Sequence, residues 1–116
     1  GFDATNDLVN AKACLTDPAN LQAALGYYRA TLGAGYKDPE LHEAQILAQS
    51  ETPTQPVLYL HGRNDGCIGV DVAIHAATVA PANARVEIVE NAGHFMQLEQ
   101  PTAVNKLIID WITKNA

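Results

Sequence analysis

Asp65 and His94 stand 29 positions apart, and each sits in a glycine-containing loop just beyond a short apolar run: His61-Gly62-Arg63-Asn64-Asp65-Gly66 and Asn91-Ala92-Gly93-His94-Phe95. A carboxylate within reach of an imidazole holds it in one tautomer and stabilises its protonated form. The other ring nitrogen is then left to act on a nucleophile or on water. Taken singly, Asp65 reads as a turn residue in an Asn-Asp-Gly run and His94 as a loop histidine satisfied by backbone. The pair, each at an expected strand end, points to catalysis. His61, Asp65 and His94 could also be read together as a metal site, but their spacing matches no zinc signature, and no metal or organic cofactor is expected. Cys67 lies two residues beyond Asp65 and off any nucleophile elbow, so it reads as a small loop or pocket residue. Phe95 and Met96 come directly after His94 and are expected to pack under a pocket or line it. His42 and His75 fall on expected helices with no acidic partner at obvious spacing, and surface positions suit them.

These loops need strands to place them. Val57-Leu58-Tyr59-Leu60 is an apolar run without polar alternation, the pattern of a strand covered on both faces, and Gly62 ends it. Residues 70–79 carry Val70, Ala73, Ile74 and Ala77 at helical spacing, and Arg85-Val86-Glu87-Ile88-Val89 is the next strand, completing a βαβ unit. A last helix starts at Pro101 and sets Val104, Leu107, Ile108, Trp111 and Ile112 on one stripe, expected to face the core. In a parallel sheet, functional groups collect just past the carboxyl ends of the strands, where both loops fall. The first half reads as helical. Asp17-Pro18 caps a helix with Leu21, Ala24, Leu25 and Tyr28 on one face and Gly33 as its stop, and Asp38-Pro39 repeats the start signal ahead of Leu41, Ile46 and Leu47. Glu51-Thr52-Pro53-Thr54-Gln55-Pro56 then breaks any helix.

The chain has 116 residues, 47% of them hydrophobic and 17% charged, which suits one small folded domain and excludes disorder. Seven Lys and Arg against 13 Asp and Glu leave a net charge of −6, so nucleic acid and anionic membrane surfaces are poor partners. No apolar run approaches the roughly 20 residues of a membrane helix. Two cysteines, Cys14 and Cys67, are too few for a secreted disulfide scaffold and read as free thiols in a reducing, cytoplasmic compartment. The start at Gly1 without a methionine raises the expectation of a piece. Two parallel strands do not make a stable sheet, because both edges expose unpaired amides and carbonyls. A further part of the same protein, covalently joined or as a cleaved companion chain, is therefore expected to complete it. A homodimer is a further arrangement left open.

The run Pro56-Val57-Leu58-Tyr59-Leu60-His61-Gly62-Arg63-Asn64-Asp65, then Val86-Glu87-Ile88-Val89-Glu90-Asn91-Ala92-Gly93-His94-Phe95, then Leu98-Glu99-Gln100-Pro101 before a tryptophan-bearing helix, resembles the C-terminal third of α/β-hydrolases. The resemblance covers residues 53–113. The region before it is similar to the end of the helical cap of the epoxide hydrolase and haloalkane dehalogenase branch. It implies an α/β fold in which residues 1–50 end a cap or lid and residues 51–116 form the C-terminal βαβα part of the core. In that superfamily the order is nucleophile, acid, histidine, so Asp65 resembles the triad acid and His94 the general base. Tyr27-Tyr28-Arg29 resembles the cap helix in which a tyrosine before an arginine donates a proton to an epoxide oxygen. That places Tyr28, and less directly Tyr27, at the substrate. Packing or pocket lining is the plainer role for both rings.

The nucleophile elbow, G-x-S-x-G or G-x-D-x-G after a strand, is absent; Ser50 is the only serine and stands in a helical stretch. His61-Gly62 resembles an oxyanion-loop His-Gly but sits on the strand leading to the acid, and reads as an ordinary strand end. The nucleophile is expected upstream and the isolated chain is expected to be inactive. An Asp nucleophile would imply an epoxide or haloalkane substrate, and a Ser an ester, thioester or lactone, in either case a small, largely apolar molecule. A non-catalytic ligand-binding protein or receptor on the same fold is the competing class, separated from the enzyme by the residue at the upstream elbow. A stand-alone module whose exposed strand edges pair with another chain is the third.

Overall fold

The computed structural model describes residues 2–116, the side chain of Gln49 excepted. They divide into two units, one running to Glu51 and the other from Thr52 to Ala116.

The first unit is helical: α1 (Thr5–Cys14), α2 (Pro18–Leu32), a 3-10 turn (Pro39–Leu41) and α3 (His42–Ser50). The start of α2 is set locally, since the Asp17 carboxylate accepts the Ala19 N–H at 2.8 Å and Pro18 occupies the first turn, where its missing N–H costs nothing. Such a cap contributes about 1 kcal/mol. Asp38 accepts the Glu40 N–H at 3.0 Å in the same way, but the turn it starts is 3-10 and only then passes into α3. The first helix, α1, lacks the Asp-Pro pair, but Asp3, two residues ahead of Thr5, accepts the Thr5 N–H at 3.0 Å and its hydroxyl at 2.6 Å. No described residue of this unit is buried, and the α2 face of Leu21, Leu25 and Tyr28 stays exposed.

The second unit runs β1 (Val57–Gly62), α4 (Val70–Val79), β2 (Ala84–Val89), α5 (Met96–Glu99) and α6 (Pro101–Asn115). It is a mixed α/β arrangement in which β1 and β2 pair in parallel, with Val57 opposite Ala84, Tyr59 opposite Val86, His61 opposite Ile88 and Gly62 opposite Val89. Parallel strands need a crossover, and α4 supplies it, burying Ala73. The strand entries are fastened together: the Asn83 amide donates to the carbonyls of Pro53 and Gln55, both at 2.8 Å, and the Val57 N–H donates to the Asn83 carbonyl at 2.9 Å. Both strands run further than the apolar pattern indicates, because the ladder continues through His61 and Gly62 and begins at Ala84.

A small core forms from Val89, Ala92 and Val104, with Leu60, Met96 and Leu107 packed against it. The α6 stripe is therefore only partly core-facing, in contrast to the sequence expectation. Val104 is buried and Leu107 and Trp111 are half-buried, whereas Ile108 and Ile112 are exposed, Ile112 by 59%. Two strands offer too narrow a surface to cover a four-turn stripe. No described helix is long and apolar enough to cross a membrane.

At the carboxyl end of the sheet the chain packs backbone on backbone. A Cβ on Gly62 would collide with the carbonyl oxygens of Gly93 and Ala92, so only glycine lets the two strand-end loops approach. Gly62→Ala is therefore expected to destabilise the protein by roughly 3 kcal/mol, the cost of forced overpacking against rigid backbone, read as a lowered urea midpoint. An unchanged midpoint would mean the loops can part freely.

Candidate active site

The parallel register puts the loop after β1 and the loop after β2 at one rim, and two backbone hydrogen bonds fasten them together. The Arg63 N–H donates to Val89 at 3.0 Å and the Asn64 N–H to Ala92 at 2.8 Å, while the Asp65 N–H turns back to Gly62 at 3.2 Å. Arg63 Nε also donates to both carboxylate oxygens of Glu90, at 2.7 and 2.6 Å. That pair is solvent-exposed and raises the Arg63 pKa while lowering that of Glu90 through the same hydrogen bond. On the second loop Asn91 takes a left-handed φ of 57°, a conformation that asparagine tolerates better than most residues. The Glu99 carboxylate then accepts the Gly93 N–H at 2.8 Å, and the Gln100 amide donates to the Asn91 carbonyl at 3.2 Å. Each loop is thus held by its own backbone and by its neighbour.

Asp65 and His94 meet in this frame, with His94 Nδ1 2.8 Å from Asp65 Oδ2. The carboxylate is only 5% exposed, and the imidazole is 47% exposed. The two carboxylate oxygens divide their work. Oδ1 accepts the backbone N–H groups of Cys67 at 2.8 Å and Ile68 at 3.0 Å, closing the loop on itself, while Oδ2 turns to the histidine. The backbone N–H of Ile68, then His94 and the N–H of Cys67, lower the Asp65 pKa from 3.8 to about 2, against the opposing effect of desolvation. An ionised carboxylate only accepts, so the hydrogen between the two groups belongs to His94 Nδ1. In the neutral ring Nε2 then carries the lone pair, and it has no hydrogen-bond partner among the described residues. The arrangement can hold a general base in its reactive tautomer and stabilise the imidazolium that forms.

The other residues singled out by sequence fall in different places. Phe95 caps α5, is 58% exposed, and stands edge-on to the His94 ring with centroids 5.3 Å apart. Cys67 is an exposed free thiol whose N–H, not its sulfur, serves Asp65. Tyr27 and Tyr28 lie on α2 of the first unit, their rings 4.1 Å apart and both exposed. Ser50 donates its hydroxyl to the Ile46 carbonyl at 2.9 Å at the end of α3 and sits at no strand-to-helix turn. No group of three or more His, Cys, Asp or Glu side chains suited to a metal occurs among the described residues.

His61 is more than a strand end. Its side chain is 4% exposed, its Nδ1 lies 2.9 Å from the Tyr59 hydroxyl, its Nε2 lies 3.1 Å from the Ile68 carbonyl, and Asp65 Oδ2 is 4.0 Å away. The available signal was the strand period, which puts Tyr59 and His61 on one face. Glu99 also went unassigned, although its hydrogen bond to Gly93 braces the histidine loop.

No family model matches the chain. It is similar to carboxylesterase YbfK of Bacillus subtilis (strain 168), 31% identical over 77 residues that make up 66% of this chain and 23% of that protein. It is also similar to the uncharacterized carboxylesterase nap of the same organism, 30% identical over 64% of this chain and 22% of that protein. A third relative is the 2-hydroxy-6-oxononadienedioate/2-hydroxy-6-oxononatrienedioate hydrolase of Cupriavidus pinatubonensis, 32% identical over 51% of this chain and 20% of that protein. By their names, two of these relatives are carboxylesterases and the third is a hydrolase. Among solved structures, that of carboxylesterase CesB (YbfK) from Bacillus subtilis aligns at 25% identity with a TM-score of 0.48, covering 95% of this chain and 46% of that one. The chain spans about a fifth to a quarter of the length of the curated relatives it matches.

The lowered Asp65 pKa carries a signed consequence. The native value lies below the ordinary one, so its ionised form contributes stability that is fully present above 3.8 and is lost as pH falls through about 2. Urea unfolding measured through this acid window should show a steeper loss of stability for the native sequence than for Asp65→Asn. Parallel curves would mean that Asp65 is not held in its ionised form by the loop.

Proposed function

We propose that this chain is the acid- and base-bearing C-terminal part of an α/β-hydrolase that hydrolyses a small, largely apolar ester through an acyl-enzyme. The observation that carries the reading is the 2.8 Å contact between His94 Nδ1 and a nearly buried, ionised Asp65, with the imidazole half open to solvent. His94 Nε2 takes the proton of the nucleophile as it attacks the ester carbonyl, and Asp65 stabilises the resulting imidazolium. His94 then returns the proton to the leaving alcohol and activates water to release the acid. The nucleophile and the main oxyanion donors come from a segment upstream of Gly1, which also adds strands to the open edges of the β1–β2 sheet. Support for that assignment comes from the exposed α6 stripe, the narrow sheet and the relatives' greater length. Residues 1–50 are assigned to the end of a helical cap or lid, with Tyr27 and Tyr28 of its helix as substrate-binding residues, and Phe95 and Cys67 serve the same purpose on the two strand-end loops.

The names of two relatives, both carboxylesterases, favour an ester over an epoxide. The epoxide hydrolase-like reading rests on Tyr28 standing directly before Arg29. Under it, Tyr28→Phe would abolish epoxide opening and spare ester hydrolysis.

In the full-length protein, His94→Ala is expected to lower kcat for p-nitrophenyl butyrate by roughly a thousandfold or more, and Asp65→Asn by a similar factor through the wrong tautomer. Retained turnover in His94→Ala would overturn the assignment. The separated residues 1–116 should show no turnover, and sedimentation should find them self-associated through the uncovered strand edges and α6 stripe; a well-behaved active monomer would contradict the incomplete sheet.

A further inference from the structure

We propose that His61 is a positioning residue that locks the Asp65 loop to the sheet through the Ile68 carbonyl, an inference that rests on the reading of Asp65 and His94 as the catalytic pair. Ile68 is gripped from both sides. Its N–H donates to Asp65 Oδ1 at 3.0 Å, and its carbonyl lies 3.1 Å from His61 Nε2. A carbonyl oxygen only accepts, so Nε2 carries the hydrogen and Nδ1 is left to accept the Tyr59 hydroxyl at 2.9 Å. The tautomer of His61 is thereby the reverse of that of His94, and both of its ring nitrogens are committed. With 4% exposure and its Nε2 hydrogen directed to Ile68, His61 has no nitrogen to offer a substrate.

The value of this strut lies in where it is rooted. His61 and Tyr59 are ladder residues of β1, opposite Ile88 and Val86, so their positions are set by the sheet. Asp65, by contrast, lies in a loop outside the ladder, where its side chain would sample several rotamers. Oδ1 is held by the N–H of a residue whose carbonyl is held by the sheet, and Oδ2 is then fixed in its aim at His94. A chain of hydrogen bonds running Tyr59 to His61 to Ile68 to Asp65 to His94 therefore transfers the rigidity of β1 to the base. Sites supported in this way keep their geometry to fractions of an ångström, and a misplacement of about 1 Å costs up to roughly a hundredfold in rate.

The test uses the full-length protein with three substitutions: His61→Leu, which removes both polar contacts; His61→Gln, whose amide can still donate to the Ile68 carbonyl; and Tyr59→Phe. For p-nitrophenyl butyrate, His61→Leu is expected to lower kcat roughly 10- to 100-fold with KM little changed. His61→Gln should recover most of that loss, and Tyr59→Phe should give a smaller loss in the same direction. The proton NMR signal of His94 Nδ1–H at low field should shift or broaden in His61→Leu and return in His61→Gln. A kcat and an Nδ1–H signal unchanged in folded His61→Leu would overturn the proposal. So would a His61→Gln variant that folds yet matches the leucine variant, and if His61→Leu does not fold, the glutamine and phenylalanine variants decide by the same signal. Retained turnover in His94→Ala would remove the catalytic reading instead, while the Nδ1–H signal would still report whether His61 positions Asp65.

Discussion

The close approach of two strand-end loops at Gly62 is the constraint on which the site depends. Parallel pairing alone would bring the ends of β1 and β2 to one rim, some 5 Å apart as neighbouring strands are. The loops beyond those ends would still be free to splay. At Gly62 the missing Cβ lets backbone lie against the carbonyls of Ala92 and Gly93, and the N–H groups of Arg63 and Asn64 then bond across to Val89 and Ala92. A side chain at this position would separate the loops and pull Asp65 from His94.

Within that frame one carboxylate serves two ends. Asp65 belongs to a chain with a net charge of −6, a setting that does nothing in general to favour another ionised group. Its charge is stabilised locally, by two backbone N–H groups on Oδ1 and by the imidazole on Oδ2. Hydrogen bonds to an ionised acceptor are among the stronger ones. The same loop geometry that keeps Asp65 ionised also aims it. On the other side of the rim, the Glu99 carboxylate does for the histidine loop what Asp65 Oδ1 does for the aspartate loop, accepting a backbone N–H, from Gly93 in the one case and from Ile68 in the other.

The distribution of burial fits a proposal of a larger assembly. In the second unit the buried apolar residues are small or medium: Ala73, Val89, Ala92 and Val104. No large side chain is fully buried among the described residues, while Ile109 and Ile112 of α6 are exposed by 62% and 59%. Apolar area left in water is stabilisation forgone, at about 25 cal/mol for each Å². A sheet with additional strands would supply the surface that α6 lacks. The hydrogen bonds that hold the Asp65–His94 pair nonetheless all lie within residues 57–100.

Local signals carried much of this protein's organisation in sequence alone. Asp17-Pro18 and Asp38-Pro39 start helices because capping is a matter of neighbouring atoms, while Val57–Leu60, a short apolar run between Pro56 and a glycine, and Arg85–Val89, where charged and β-branched residues alternate, are strand patterns. The pairing of Asp65 with His94 was also legible, since parallel strands must end at the same rim. Tertiary structure alone decided three things. The α1 helix carries a weak apolar pattern and no Asp-Pro pair, and its one local start signal, Asp3 two residues ahead of Thr5, is too common by itself to announce a helix. Whether the α6 stripe would be covered depended on the width of the sheet, which no periodicity encodes. The role of His61 depended on a distance of 3.1 Å to a carbonyl seven residues ahead, and a backbone oxygen leaves no trace in the identity of the residue that bears it.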